Sequence, residues 1–77
     1  MALTQNWKGE INMSEFRARL FKEQEELTIK TGKLSVFITS VNFNSLPEVD
    51  QEDLREQYKH MMEYLNVLNR RVNRQLG

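Results

Sequence analysis

Two stretches of the chain carry apolar residues at helical heptad spacing, and the chain's only proline separates them. In the first stretch the residues that recur every seventh position are Met13, Leu20, Leu27, Leu34 and Val41. In the second stretch the spacing alternates between four and three residues, through Leu54, Tyr58, Met61, Leu65, Leu68 and Val72. Such spacing places these side chains on one face of a helix, which must pack against a partner to leave water. The sequence therefore predicts an all-α fold with two long helices.

The first helix has a recognisable start. Asn12 and Glu15 have the spacing of a capping box, with Ser14 as an alternative cap one step later. We expect the helix to span residues 13–41 and residues 1–12 to form a short N-terminal arm, because the arm has no sustained helical period. Within this helix, Gly32 predicts either a kink or a close contact with another helix.

Sequence signals also indicate where the first helix ends and where the second begins. Pro47 cannot lie inside a helix without removing a backbone hydrogen bond, and turn-forming residues precede it. We therefore expect a loop over residues 42–49. Asp50 is the predicted cap of a second helix over residues 50–75.

A connection this short returns the second helix alongside the first and gives an antiparallel hairpin. The expected neighbours are Leu20 with Val72, Leu27 with Leu65, and Leu34 with Tyr58. Several apolar residues fall partly off this seam: Phe21, Ile29, Val36, Phe37, Met62, Tyr64 and Val67.

So small a chain cannot bury a second apolar face by itself. We expect a homo-oligomer, most simply a dimer of hairpins that forms a helical bundle. The alternative is that Leu3, Trp7 and Ile11 of the arm cover this face.

Composition excludes several classes of protein. With 77 residues there is room for one domain, and without cysteine there is no disulfide. A single histidine excludes the usual zinc sites, and we expect no metal and no cofactor. Eleven Lys and Arg balance eleven Asp and Glu, so we expect no nucleic-acid polymer as a partner. The apolar runs are too short for a membrane span or a signal peptide.

The residues with catalytic potential are few. His60 has Glu56 and Tyr64 one helical turn away, but the sequence offers no cysteine and no nearby serine for a catalytic triad. The sequence therefore predicts a binding protein and not an enzyme.

Charge is balanced in total but not in position. Cations gather where the first helix begins and the second ends, at Lys8, Arg17, Arg19, Lys22, Arg70, Arg71 and Arg74. Acids gather near the loop, at Glu48, Asp50, Glu52, Asp53 and Glu56. The basic end is either a solvated face that complements the helix dipoles or a site for a small anion.

The first helix also has a polar gap in its apolar seam, at Glu23, Gln24, Lys30 and Thr31. Such residues either set the register of a bundle or line a polar cavity. If they line a cavity, a nucleotide suits it, since Lys and Arg hold phosphates and tyrosines stack on bases. For the tyrosines, core packing with the hydroxyl at the rim is the alternative. The candidate ligand-binding residues are Lys30, Thr31, Lys33, Tyr58, Tyr64, Arg70 and Arg71.

The runs FRARLFKEQEELTIKTGKLSVFI and LREQYKHMMEYLNVLNRRV carry a family resemblance. The chain resembles small phage proteins grouped with one from a crAss-like bacteriophage. The residues that match this family's pattern are Arg19, Glu26, Leu27, Lys33, Leu34, Phe37, Ile38, Gln57, Met61, Tyr64, Leu68 and Arg71. The resemblance implies a phage accessory protein in the cytoplasm of a bacterial host, and it carries over no catalytic residue.

By wider analogy, the chain is similar to tiny helical phage proteins that act as sponges for the cyclic nucleotide messengers of bacterial immunity. The implied function is immune evasion of the anti-CBASS or anti-Thoeris type, with a small anionic nucleotide bound between subunits and left unchanged. A protein-interaction module that inhibits or regulates a host or phage protein is the alternative. A structural bundle without a ligand is a third option.

Overall fold

A computed structural model describes residues 12–77 of the chain and contains three helices in that range: α1 (Met13–Ile38), α2 (Val41–Asn44) and α3 (Glu48–Leu76). No strand occurs among these residues. The prediction of an all-α fold is confirmed for this part of the chain. The predicted arm lies outside the described residues except for Asn12.

The start of α1 agrees with its sequence signal. The Asn12 side-chain oxygen accepts hydrogen bonds from the backbone N–H groups of Ser14 (2.9 Å) and Glu15 (3.2 Å). These groups have no partner within the helix, so the cap satisfies them. The Asn12 cap is confirmed.

The end of α1 comes earlier than predicted. The helix stops at Ile38, not at residue 41. The hydroxyl of Thr39 donates to the Val36 carbonyl (2.9 Å), and that of Ser40 donates to the Phe37 carbonyl (2.6 Å). Such side-chain bonds offer the backbone an alternative to continuing the helix.

The one-turn helix α2 overlaps the start of the predicted loop over residues 42–49, and α3 overlaps its end. Ser40 caps this turn by accepting from the Phe43 N–H (3.3 Å). Phe43 is 1% exposed and meets the Phe37 ring edge to face, with 6.0 Å between ring centroids. The Arg55 guanidinium lies 5.1 Å from the Phe43 ring centroid, which allows a cation–π contact. Phe43 thus packs α2 against residues of both long helices.

The start of α3 also differs from the prediction. The helix begins at Glu48, and its N-cap is Pro47, whose carbonyl accepts from the N–H groups of Asp50 (3.0 Å) and Gln51 (3.1 Å). Asp50 is therefore inside the first turn, where its charge complements the helix dipole, and the prediction that it caps the helix was wrong. The helix ends at Leu76, one residue beyond the predicted end.

The two long helices lie side by side in opposite directions. Near the chain termini, Arg17 Nε donates to Gln75 Oε1 (3.0 Å). Further along, Gln24 Nε2 donates to Asn69 Oδ1 (2.9 Å). A residue near the start of α1 thus pairs with one near the end of α3, and a later residue of α1 pairs with an earlier residue of α3. The two helices are therefore antiparallel, and these two pairs define their register.

The apolar core lies between α1 and α3. Leu20, Leu68 and Val72 are buried together, with Phe21 and Leu27 packed against them. Leu20 and Val72 are thus in one cluster, as the heptad register predicts. Five hydrophobic residues in the described part are buried, and of these only Phe43 and Leu68 are fully buried. No helix within residues 12–77 is both long enough and apolar enough to cross a membrane.

Candidate ligand-binding surface

The polar gap in the seam of α1 is closed by hydrogen bonds within the chain. Gln24 pairs with Asn69 across the interface. Thr31 is 4% exposed, and its hydroxyl donates to the Leu27 carbonyl (2.6 Å). Within residues 12–77, no buried side-chain nitrogen or oxygen lacks a partner. The Gln24–Asn69 pair fits the register-setting interpretation, because neither amide can shift along the seam without losing its partner.

Tyr64 and Glu23 mark one side of the helix pair. The Tyr64 hydroxyl on α3 donates a hydrogen bond to the Glu23 carboxylate on α1. Seven residues are two helical turns, so Lys30 lies on the same side of α1 as Glu23, and Arg71 lies on the same side of α3 as Tyr64. We call the surface formed by Glu23, Lys30, Tyr64 and Arg71 the tyrosine side.

The tyrosine side combines two cations with an accessible aromatic ring. Lys30 is exposed, Arg71 is partly exposed, and Tyr64 is 44% exposed. Lys30 lies about 10 Å from the Tyr64–Glu23 contact toward the loop, and Arg71 lies about 10 Å from it toward the chain termini, so the two cations are about 20 Å apart. Lys33 follows Lys30 by three residues and extends the basic surface by nearly one turn. This arrangement can attract an anion and offer a ring for stacking.

Three of the predicted ligand-binding residues lie elsewhere. Thr31 is in the interface of α1 and α3, and Tyr58 is half-buried on the seam, seven residues before the buried Leu65. Arg70 is exposed and lies two turns after Glu63, on the outer face of α3. Tyr58 and Arg71 are separated by about 20 Å along α3. One chain therefore does not gather all seven predicted residues into one site.

Some cations at the basic end of the helix pair already contact other residues of the same chain. Arg17 donates to Gln75, and Arg19 lies 4.0 Å from Glu15 in an exposed ion pair. In the part of the chain that the structure describes, Arg71 and Arg74 form no ion pair within 4.0 Å. Among the described residues, no acid neutralises these two guanidinium groups.

His60 lies on the exposed surface of α3. Its Nδ1 is 3.1 Å from Glu63 Oε1, and its Nε2 is 3.7 Å from Glu56 Oε2. No group of three or more His, Asp or Glu residues in the range 12–77 is placed to hold a metal ion. The interactions of His60 in this range are those of a surface histidine between two carboxylates.

Glu23 is the residue of the tyrosine side that was not among the predicted ligand-binding residues. The sequence did place it in the polar gap, but its partner could not be read from heptad spacing. Tyr64 lies one residue before the seam position Leu65, so its long side chain reaches across the edge of the interface. The pair could have been identified from two features together. Tyr64 is next to a seam residue of the second helix, and the polar gap in the seam of the first helix contains a carboxylate.

The chain has relatives among phage proteins. A sequence model of the Sequestin family matches residues 14–74, a range that covers almost all of α1 and α3. An "uncharacterized 7.5 kDa protein in denB-rIIB intergenic region" of Enterobacteria phage T4 is 33% identical over 60 residues, which are 78% of this chain and 94% of that protein. No solved structure matches the chain. A specific relationship to proteins of crAss-like phages stays a prediction.

Proposed function

Because the chain belongs to the Sequestin family, we propose that it is a phage-encoded protein that sequesters a small molecule inside the infected bacterium. The family name denotes sequestration. We further propose that the ligand is a cyclic nucleotide messenger of bacterial immunity, which the protein binds without catalysis. Sequestration needs only affinity and abundance, so a chain of 77 residues is sufficient for it.

The observation that carries this proposal is the tyrosine side. The Tyr64–Glu23 hydrogen bond puts Lys30 and Arg71 on one side of the helix pair, to either side of the Tyr64 ring and about 20 Å apart, so a small ligand on one chain would reach the ring and one of the two cations. Phosphates favour Lys and Arg, and the face of a base stacks on an aromatic ring. A nucleotide presents both chemical groups within one small molecule, whereas a simple anion would not use the ring.

The proposed binding unit is an oligomer. Small-molecule sites bury most of their ligand, and two helices side by side form only a shallow surface. A second subunit that covers the tyrosine side would enclose a ligand between charged and aromatic side chains. Apolar residues that stay exposed on one chain favour self-association in general, and Ile29 and Val36 among them lie on the outer face of α1 and not on the tyrosine side.

The test is thermal unfolding of the full chain with a panel of cyclic mononucleotides, cyclic di- and trinucleotides and ADP-ribose derivatives. A ligand that binds only the native state raises stability by RT ln(1 + [L]/Kd), which is about 2.7 kcal/mol at one hundred times Kd. We expect at least one nucleotide to raise the unfolding temperature. If none does at saturating concentration, the nucleotide proposal is wrong.

A matched pair of variants locates the site. Lys30→Gln removes a cation from the tyrosine side, and Lys59→Gln removes another exposed lysine, which lies five residues before Tyr64 and off that side. We expect the first variant to weaken binding and the second to bind as the wild type does. Equal effects of the two substitutions would mean that only overall charge matters.

A second candidate function is a protein-interaction module. The observation that favours it is the exposure of Ile29 (51%) and Val36 (70%), which could bind a helix of a host or phage protein. Capture of one defined bacterial protein at fixed stoichiometry, together with no response to any nucleotide, would favour this function over sequestration.

A further inference from the structure

The two ends of the helix pair are held together by different contacts. We call residues 13–27 and 64–76 the terminal half and residues 28–63, which include α2, the loop half. Four of the five buried hydrophobic residues in the described part belong to the terminal half: Leu20, Leu65, Leu68 and Val72. Leu27, the last residue of α1 in that half, packs against three of them. Most of the apolar core therefore lies in the terminal half.

The polar contacts between α1 and α3 are distributed in the same way. Among the described residues, three side-chain hydrogen bonds join these helices, and each has both partners in the terminal half: Arg17 with Gln75, Glu23 with Tyr64, and Gln24 with Asn69. Within residues 28–63, no side-chain hydrogen bond or salt bridge crosses from α1 to α3. Separation of the helices therefore costs more contacts in the terminal half than in the loop half.

The loop half depends on one aromatic anchor. Phe43 is the only buried hydrophobic residue within residues 28–63, and it contacts the Phe37 ring of α1 and the Arg55 guanidinium of α3. The other buried residue of this half is Thr31, whose hydroxyl donates to a carbonyl of its own helix. That hydrogen bond adds nothing to the contact with α3. The loop half is thus held closed mainly by the packing of Phe43.

The part of α1 in the loop half is also a weak helix former by itself. Five of the eleven residues from Thr28 to Ile38 are β-branched, and Gly32 is a sixth unfavourable residue. The helix nevertheless runs through Gly32 without interruption, so the kink predicted there is absent. A Cβ atom added to Gly32 would meet no heavy atom within 4 Å. Alanine therefore fits at this position and would strengthen the helix.

We propose that the loop half opens as a cooperative unit while the terminal half stays paired. Parts of a protein that lose fewer buried contacts on opening do so at a lower free energy. The opening changes the tyrosine side, because Lys30 is in the loop half whereas Glu23, Tyr64 and Arg71 are in the terminal half. Opening removes Lys30 from the Tyr64 ring and leaves Arg71 in place. The composition of this surface therefore depends on whether the loop half is closed.

The test is native-state hydrogen exchange of the full chain, followed amide by amide by NMR at urea concentrations below the unfolding transition. Amides of the loop half, such as those of Leu34 and Tyr58, should share an opening free energy below that of amides near Leu20 and Leu68. Their opening should also depend less on urea, because a partial opening exposes less surface. One opening free energy and one urea dependence for both halves would overturn the proposal.

Two stabilising variants keep the fold and separate the halves. Gly32→Ala should slow exchange about fivefold in both halves, because residue 32 unfolds in the partial and in the global opening. Asn66→Ala, at an exposed position of α3 in the terminal half, should slow exchange about threefold in that half. It should leave the loop half at its wild-type rate, because residue 66 stays helical in the partial opening. Equal slowing of both halves by Asn66→Ala, or an unchanged loop half in Gly32→Ala, would overturn the proposal.

These outcomes are distinct from those that test sequestration, because the exchange experiment needs no ligand. If no nucleotide of the panel binds while Asn66→Ala slows exchange in the terminal half alone, the partial opening stands and the messenger assignment fails. If a nucleotide binds while both halves share one opening free energy, sequestration stands and the partial opening is wrong.

Discussion

The hydroxyl of Tyr64 and the carboxylate of Glu23 join the two long helices at the edge of their interface. The contact is solvent-exposed, so its share of the folding free energy is small, on the order of 1 kcal/mol or less. Its larger consequence is positional, because it turns the Tyr64 ring toward the side that carries Lys30 and Arg71. At the scale of single residues, the candidate function depends more on where this ring lies than on its hydrogen bond.

Two substitutions at Tyr64 separate the ring from the hydroxyl. Tyr64→Phe keeps the stacking surface, so we expect nucleotide affinity within a few-fold of wild type. Tyr64→Ala removes the ring and should weaken binding by about 1 to 3 kcal/mol, the usual contribution of one stacked base. Isothermal titration of the bound nucleotide measures both. Wild-type affinity in Tyr64→Ala would exclude the ring from the site.

The core offers a second prediction at this scale. Leu68 is 0% exposed and lies in the cluster with Leu20 and Val72. Leu68→Ala should lower the free energy of unfolding by about 2 to 5 kcal/mol, since the cavity it leaves adds to the lost apolar burial. The loss is comparable to the whole stability of so small a core, so we expect a largely unfolded chain.

Urea unfolding followed by circular dichroism checks this prediction. Val49→Ala, at an exposed position in the first turn of α3, is the matched control and should change the midpoint little. If Leu68→Ala unfolds at the same urea concentration as Val49→Ala, the cluster around Leu68 is not the stabilising core.

At the scale of helices, the heptad pattern was sufficient for the two long elements but not for their ends. Asn12 caps α1 as its spacing indicates, whereas the end of α1 and the start of α3 were misplaced. The reason is local hydrogen bonding: Ser40 both ends α1 and caps α2, and Pro47 replaces Asp50 as the cap. Such roles depend on backbone angles that a periodic pattern does not specify.

Like the helices, the candidate site could be predicted from the sequence only in part. Lys30 and Arg71 were identified from residue type, and their common side follows from the seven-residue spacing once Glu23 and Tyr64 are known to touch. That contact joins residues 41 positions apart in the chain, so no local pattern contains it. Tyr58 illustrates the opposite case, because its seam position already indicated packing between the helices.

The Gln24–Asn69 pair gives a prediction about how the helices align. Replacing one amide by leucine leaves the other without its partner, so each single variant should be less stable than wild type by about 1 to 3 kcal/mol. The double variant Gln24→Leu with Asn69→Leu should regain that stability or exceed it, because apolar side chains then fill the seam.

A double-mutant cycle by urea unfolding measures the coupling between the two positions. Gln57, an exposed amide on α3, gives the control substitution Gln57→Leu, which should not couple to Gln24. Additive effects of Gln24→Leu and Asn69→Leu would show that the pair does not set the register.

At the scale of the whole molecule, nine large hydrophobic residues of the described part are exposed, whereas five hydrophobic residues are buried. The exposed large hydrophobic residues in the described part are Met13, Phe16, Ile29, Val36, Val41, Val49, Tyr64, Val67 and Leu76. A balanced net charge of zero adds no long-range repulsion between copies. Both properties favour the self-association that the proposed binding unit requires.

Zero net charge also restricts the kind of ligand. A long polyanion is attracted by a continuous field, which this chain lacks, whereas a small anion responds to a few local cations. The acid-free segment between Leu27 and Ile38 and the guanidinium of Arg71 provide such local charge. We therefore expect a small phosphorylated ligand and not DNA or RNA, as in the proposed function.

The most direct test of the central claim is recovery of ligand after binding. Each nucleotide of the panel is incubated with excess full-length protein, the free ligand is removed by ultrafiltration, and the retained protein is heat-denatured. Chromatography with mass detection then quantifies what is released. Sequestration without catalysis predicts that at least one cyclic nucleotide leaves the filtrate and returns chemically intact on denaturation. Every nucleotide remaining in the filtrate, or release only of a cleaved product, would contradict it.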